Sequence, residues 1–124
     1  MKKILLVEDD PFLIDIYTTK LKDSGFAIQV AADGEEAINK IKEEKPDLIV
    51  LDIVLPHVDG WEILNQIKAD EKLKKIKVIL LSNLGQKEEV EKGLKLGATK
   101  YLIKAHYTPG QVVEEIKKVF NGIK

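Results

Sequence analysis

The sequence contains no cysteine and no arginine, and it has only four prolines and one tryptophan. The lack of cysteine excludes disulfides, thiolate metal sites and cysteine nucleophiles. The lack of arginine excludes bidentate recognition of phosphate or carboxylate by a guanidinium group. No apolar run approaches the ~20 residues that span a membrane, and acidic residues begin at Glu8, too early for a signal peptide. We therefore expect a soluble cytoplasmic protein without a membrane partner.

The chain also lacks an excess of charge of either sign, since 20 basic residues stand against 21 acidic ones and the net charge is -1. A simple nucleic-acid-binding domain is strongly basic, so direct binding of nucleic acid is not expected. With 44% hydrophobic residues, the composition is that of a folded domain rather than a disordered chain. Its 124 residues fit one core, and no linker or repeat interrupts them. We expect a single domain over residues 1–124.

Short apolar runs alternate with longer amphipathic segments along the whole chain. The unbroken apolar runs are typical of strands buried on both faces of a parallel sheet, and they lie at residues 4–7, 48–51 and 78–81. Two more mixed segments, at residues 27–31 and 99–103, are typical of edge strands. The alternation predicts an α/β fold of the doubly wound (βα)5 type, a three-layer sandwich with a five-stranded parallel sheet and flavodoxin-like architecture.

Each predicted strand is followed by a helix pattern with recognisable start signals. These helices begin near Pro11, Asp33, Asp59, Gly85 and Thr108. In the fourth helix Val90 and Leu94 form the apolar face, and in the fifth an apolar stripe runs from Val112 to Ile123. Asp33 and Asp59 stand at helix starts and are predicted caps.

The chemically informative residues stand where the predicted strands end. Glu8, Asp9 and Asp10 follow the first strand directly, and Asp52 follows the third. If the strand order is 2-1-3-4-5, the switch point lies between these two strands, and ligands of open α/β sheets bind at that point. Asp9 and Asp10 are also suited simply to cap the first helix. Asp52 is harder to explain structurally, because a carboxylate that closes a buried strand is costly unless it is paired or metal-bound.

Several carboxylates in one crevice need a positive partner, because like charges raise one another's pKa. Mg²⁺ suits such a site, while zinc and copper are poor candidates without nearby histidine or cysteine ligands. Ser82 follows the fourth strand and Lys104 the fifth, which adds a hydroxyl donor and a cation. The set predicts a phosphate-plus-metal site in which an aspartate could act as a nucleophile toward phosphorus. Taken singly, Ser82 is more often a loop hydroxyl and Lys104 a surface charge.

The order and spacing of these residues resemble the response-regulator receiver domains of bacterial two-component signalling, over essentially the whole chain. The matching segments are residues 4–11, 46–52, Leu55-Pro56 with Asp59-Gly60, Leu81-Ser82, and Gly97-Ala98 leading to residues 101–104. The resemblance implies that Asp52 is the phosphoacceptor, receiving its phosphoryl group from the histidine of a sensor kinase or phosphotransfer protein. It also implies that Ser82 and Lys104 contact phosphoryl oxygens.

The resemblance further implies a metal site and a switch. Glu8 and Asp9 would hold Mg²⁺ directly or through water, together with Asp52 and the backbone carbonyl of Val54, with Mn²⁺ or Ca²⁺ able to substitute. Tyr101 occupies the position of the family's switch aromatic, which turns inward with the hydroxyl residue. The fourth helix, fifth strand and fifth helix would then form a two-state surface that controls binding of a downstream protein.

Two departures from the family pattern bear on the local structure and on assembly. Ala105 follows Lys104 where the family usually has a cis proline, so we expect either a trans bond with a rearranged loop or a strained cis bond. Without arginine, salt-bridged dimers have fewer strong partners, so we expect a monomer or a weak dimer.

Three functional hypotheses follow from the sequence. The leading one is a stand-alone receiver that accepts a phosphoryl group and is not a turnover enzyme. The alternative is a degenerate receiver that acts as a phosphorylation-independent interaction scaffold. A phosphatase with an aspartate nucleophile is disfavoured, because Val54 stands where such enzymes carry a second aspartate as general acid.

Overall fold

The structure, a computed structural model, describes residues 1–122 and contains five strands and five α-helices within them. The strands are β1 (Lys3–Val7), β2 (Ala27–Ala31), β3 (Leu48–Leu51), β4 (Lys77–Ser82) and β5 (Lys100–Ile103). The helices are α1 (Pro11–Asp23), α2 (Gly34–Glu44), α3 (Gly60–Ala69), α4 (Lys87–Lys95) and α5 (Pro109–Phe120). The predicted alternation is confirmed, while Ile123 of the predicted last stripe lies outside the described residues. None of the helices described is long and apolar enough to cross a membrane.

All strand pairs are parallel, and the strand order is β2-β1-β3-β4-β5. From β1, the chain first adds β2 on one side and then adds β3, β4 and β5 on the other side. The strand order therefore reverses between β1 and β3, which confirms the predicted switch point. At that point the Asp52 N–H donates to the Val7 carbonyl at 3.0 Å, so the residues that follow β1 and β3 are held side by side.

The core forms two layers, one on each face of the sheet. One layer packs side chains of α2 and α3, such as Ile41 and Ile63, against β1, β3 and β4. The other packs Tyr17 and Leu21 of α1 together with the apolar stripe of α5. Because both faces are covered, β3 is buried at every residue, as its unbroken apolar run predicts.

Four of the five described α-helices begin with a side-chain cap. Asp10, Asp33, Asp59 and Thr108 each accept a hydrogen bond from a backbone N–H of the first turn. Asp10 is thus a helix cap, and Asp33 and Asp59 are caps as predicted. At the start of α4, Gln86 makes no such bond.

The charged residues of the helices are sorted by helix end. All five described α-helices carry lysines in the last turn, and α2, α3 and α4 carry glutamates in the first turn. This arrangement complements the helix dipole, whose amino end is positive and whose carboxyl end is negative. Since each helix begins beyond the carboxyl end of a strand, the glutamates lie toward one end of the sheet and the lysines toward the other.

Helix α4 packs differently from the prediction. Leu94 was expected on the buried face, but it is 47% exposed, and Gly93 is the buried residue of this helix. A Cβ at Gly93 would lie 2.6 Å from Leu80 Cδ1 and 2.9 Å from Tyr101 Cδ2. The helix therefore approaches the sheet through its glycine, and this close approach turns Leu94 outward.

Glu115 of α5 ties this helix to β5, since its carboxylate lies 2.9 Å from Lys100 Nζ and 3.0 Å from Lys118 Nζ. The hydrogen bond from Lys100, with that from Lys118, lowers the pKa of Glu115. Because the pKa of Glu115 is lowered, the ion pairs stabilise the fold at pH values above the ordinary glutamate pKa. This stabilisation is lost as the pH falls through the lowered pKa.

Replacing Glu115 by glutamine is therefore expected to lower the free energy of unfolding by about 0.5 kcal/mol at neutral pH and to have less effect at acidic pH. Urea denaturation at a series of pH values measures this difference. Glu114→Gln is the matched control, because Glu114 pairs with Lys117 on the exposed side of the same helix. An equal loss for both variants, or a Glu115→Gln loss that does not depend on pH, would contradict the prediction.

Candidate functional site

Three carboxylates meet at the switch point of the sheet. Glu8 follows β1, Asp52 follows β3, and one oxygen each of Glu8, Asp9 and Asp52 lies within 4.8 Å of the others. Glu8 is 2% exposed and Asp52 is 6% exposed, while Asp9 is open to solvent. The predicted clustering is thus what the structure shows, and a set of hard oxygen donors this close together can hold a divalent cation.

Lys104 provides the positive charge of the cluster. Its Nζ lies 2.6 Å from Glu8 Oε1 and 2.8 Å from Asp52 Oδ2, so one ammonium group bridges two buried carboxylates. The side chain of Lys104 is itself only 13% exposed. Lys104 is therefore part of the site, although a lysine considered alone is more often a solvated surface charge.

The pKa values of this cluster follow from burial and pairing. Burial raises the pKa of the Glu8 carboxyl, and the hydrogen bond from Lys104 offsets this rise only in part. Burial alone would lower the pKa of Lys104, but the hydrogen bonds to Asp52 and Glu8 outweigh it and raise the value. The ammonium group of Lys104 is thus kept charged by the two carboxylates that it joins.

Backbone amides fix the orientation of both buried carboxylates. Glu8 Oε2 accepts from the N–H groups of Asp9 and Asp10 at 3.1 and 3.2 Å. Asp52 Oδ1 accepts from the Val54 N–H at 3.3 Å, which leaves Asp52 Oδ2 to Lys104. Val54 lies at the mouth of the site with 61% of its surface exposed.

Ser82 and Tyr101 are linked through one residue of the β4–α4 loop. Ser82, the last residue of β4, is 1% exposed, and its Oγ accepts from the Leu84 N–H at 3.3 Å. The Leu84 carbonyl accepts from the Tyr101 hydroxyl. Burial raises the pKa of Tyr101, which keeps its hydroxyl protonated as a donor. The residues predicted as hydroxyl ligand and switch aromatic are therefore physically connected.

The segment after Lys104 contains no cis peptide bond, so the Lys104–Ala105 bond is trans. Residues Lys104–His106 form one turn of 3-10 helix before α5. The sequence left open a trans or a strained cis bond before Ala105. The structure shows the trans bond. His57 and His106 are exposed.

Gly60 is a residue whose importance the sequence pattern did not reveal. Its N–H donates to the Ile53 carbonyl at 2.8 Å, and a Cβ at this position would lie 2.4 Å from the Asp52 carbonyl oxygen. The first residue of α3 is thus packed directly on the backbone of Asp52. In the sequence Asp59-Gly60 showed only a helix start and a matching motif, because the close approach depends on tertiary structure.

Replacing Gly60 by alanine is therefore expected to lower the free energy of unfolding by about 2–3 kcal/mol, because the added methyl group overlaps backbone atoms that cannot move independently. Urea denaturation measures this loss. Gly110→Ala in the first turn of α5 is the control, since a Cβ there meets nothing nearer than Thr108 Oγ1 at 3.9 Å. Equal stability of the two variants would contradict the close packing at Gly60.

Comparisons with known proteins confirm the resemblance stated from the sequence. The chain is 38% identical over 120 residues to the alkaline phosphatase synthesis transcriptional regulatory protein PhoP of Bacillus subtilis, covering 95% of this chain and 48% of that protein. It is also 38% identical over 116 residues to the regulatory protein VanRc of Enterococcus gallinarum, covering 94% of this chain and 48% of that protein. The chain thus spans about half the length of these curated relatives.

A solved structure and the matching family description indicate the same family as these relatives. The receiver domain of the Francisella response regulator 1452 superposes with a TM-score of 0.90 at 29% identity, covering 100% of each chain. Residues 4–117 match the response regulator receiver domain family. This chain therefore belongs to the receiver domains of two-component response regulators.

Proposed function

We propose that Asp52 accepts a phosphoryl group from a phosphohistidine of a sensor kinase or phosphotransfer protein, and that this event controls the binding of a downstream protein. The observation that carries the proposal is the position of the Asp52 carboxylate. It is buried at the switch point of the sheet, and Lys104 Nζ lies 2.8 Å from Oδ2. The two neighbouring carboxylates of Glu8 and Asp9 complete a site suited to a cation and a phosphoryl group.

The proposed chemistry is a direct transfer. An oxygen of Asp52 attacks phosphorus, an acyl phosphate bond forms, and the P–N bond of the phosphohistidine breaks to release the imidazole. Negative charge increases on the phosphoryl oxygens beside Asp52 during this step. Lys104 would pair with one of these oxygens, and the Ser82 hydroxyl, at the end of the adjacent strand, would donate to another.

The residues fit the Mg²⁺ that receiver domains use. Glu8, Asp9 and Asp52 offer carboxylate oxygens within 4.8 Å of one another, and they would hold the ion together with the backbone carbonyl of Val54. Mn²⁺ and Ca²⁺ also bind oxygen ligands, so we propose that either can substitute for Mg²⁺ at this site. When bound, the ion supplies positive charge beside the phosphoryl oxygens.

The proposed output surface is formed by α4, β5 and α5. Ser82 and Tyr101 are joined through the backbone of Leu84, so a movement of the hydroxyl toward a phosphoryl group displaces the acceptor of the Tyr101 hydroxyl. Tyr101 in turn packs against Gly93 of α4. The relatives named above are regulatory proteins of about twice this length. For this chain we propose control of a partner protein, without direct binding of nucleic acid.

The proposal is tested with acetyl phosphate as a small phosphodonor. We expect intact mass spectrometry to show the addition of one phosphoryl group in the presence of Mg²⁺, and peptide mapping to place it on Asp52. Addition of excess EDTA before the donor should prevent it. A folded protein that gains no phosphoryl group would overturn the proposal and favour the scaffold hypothesis, as would a modification mapped to another residue.

A further inference from the structure

Trp61 and Lys92 join α3 to α4 by a contact that the proposed switch does not use. The Nζ of Lys92 lies 4.3 Å from the centroid of the Trp61 ring, within the range of a cation–π interaction. Trp61 is the only tryptophan of the chain and is partly buried against the core. Lys92 is exposed, so the contact is a modest link between α4 and the first turn of α3.

The first turn of α3 is in turn fixed to the backbone of Asp52. Gly60 precedes Trp61, donates to the Ile53 carbonyl at 2.8 Å, and leaves no room for a Cβ against the Asp52 carbonyl. A displacement of the Asp52 backbone must consequently move Gly60 and the adjacent Trp61, because closely packed groups transmit movement rather than absorb it.

Helix α4 differs from the other described α-helices in its cap and in its packing. Its amino end has no side-chain cap, and Gly93 is its buried residue. Gly93 lies against Tyr101 and Leu80, while the preceding residue, Lys92, lies over Trp61. Two consecutive residues of α4 thus contact two aromatic side chains, one from β5 and one from α3.

We propose that the Trp61–Lys92 contact is a second coupling between Asp52 and α4, parallel to the connection through Ser82, Leu84 and Tyr101. This inference rests on the proposed function, because the event that it transmits is phosphorylation of Asp52. If Lys92 helps to set the position of the Asp52 backbone, removal of its contact changes the surroundings of the phosphoryl group and therefore the rate at which that group is hydrolysed. A contact that only stabilises the fold has no such effect.

The test uses the full chain with four variants and two measurements. Lys92→Met removes the positive charge and keeps a long side chain, whereas Lys92→Arg keeps the positive charge. Lys95→Met makes the same change at another exposed lysine of α4, since it is Lys92 that lies over the Trp61 ring, and Asp52→Asn removes the proposed phosphoacceptor. In each protein, Trp61 emission is recorded with Mg²⁺ alone and after addition of acetyl phosphate. The half-life of the phosphoryl group is then followed by intact mass after the donor is removed.

We expect phosphorylation to change Trp61 emission in the wild type, Lys92→Arg and Lys95→Met, and not in Asp52→Asn. Lys92→Met should lose at least half of this change, and its phosphoryl half-life should differ by at least about twofold from that of Lys95→Met. If the wild type takes up the phosphoryl group but Lys92→Met matches Lys95→Met in either measurement, the coupling is overturned. If the wild type takes up none, the proposed function fails first, so the two failures are distinguishable.

Discussion

Asparagine in place of Asp52 is expected to abolish phosphoryl incorporation from acetyl phosphate and from any phosphohistidine donor. The amide has nearly the same shape and its oxygen can still accept from the Val54 N–H, but it lacks the negative charge and nucleophilicity of a carboxylate. We expect the rate to fall by at least ~10³, which is below detection in a mass assay that resolves a few per cent of product.

Asp59→Asn is the matched control for this prediction. Asp59 caps α3 a few residues further along the same loop, and asparagine caps a helix about as well as aspartate. This variant should be phosphorylated at the wild-type rate. Phosphoryl uptake by Asp52→Asn at a site other than residue 52 would show that the protein has a second acceptor, and an unchanged rate would remove Asp52 from the mechanism.

Methionine in place of Lys104 is expected to lower the rate of phosphoryl transfer to Asp52 by about 10²–10³. Lys104 carries the positive charge that the protein itself can place beside the transferring group, and methionine has a similar length without that charge. Initial rates measured by intact mass at saturating Mg²⁺ test this prediction. A rate within threefold of the wild type would show that Lys104 has only a structural role.

The same substitution is also expected to lower the free energy of unfolding by about 3 kcal/mol at neutral pH, because it leaves Glu8 buried without its cation. Burial already raises the pKa of Glu8, and removal of Lys104 raises it further. A raised carboxyl pKa favours the folded state when the group is protonated, so the loss should shrink as the pH falls through the raised value. Lys100→Met, which removes a different ion pair from β5, is the control in the urea denaturation series.

The sequence predicted most of the framework because the decisive patterns are local. The buried central strands are visible as unbroken apolar runs, and the helix starts are visible as Asp33, Asp59 and Thr108-Pro109. The acidic residues were found because they stand directly after two of these strands, and parallel strands bring their carboxyl ends together. These inferences need only the period of the apolar residues and the topology of a doubly wound sheet.

The features that the sequence did not reveal depend on distances between segments far apart in the chain. The expected burial of Leu94 was wrong because Gly93 brings α4 close to Tyr101, a contact that helical periodicity does not encode. The role of Gly60 depends on a backbone approach of the same kind. The sequence predicted that Lys104 lies near the carboxylates. Only the structure shows that its single ammonium group bridges the two buried carboxylates of Glu8 and Asp52.

The sorting of charge along the helices gives the molecule an electric dipole that runs parallel to the strands. Acidic residues surround the end that carries Asp52, and lysines surround the opposite end. A small anionic phosphodonor is repelled by the acidic end, so added salt should speed its encounter with Asp52 by screening the repulsion. A protein donor with basic residues around its phosphohistidine is instead steered toward that end, and salt should slow its association. The near neutrality of the whole chain therefore hides opposite ionic-strength dependences for two donors that deliver the same group.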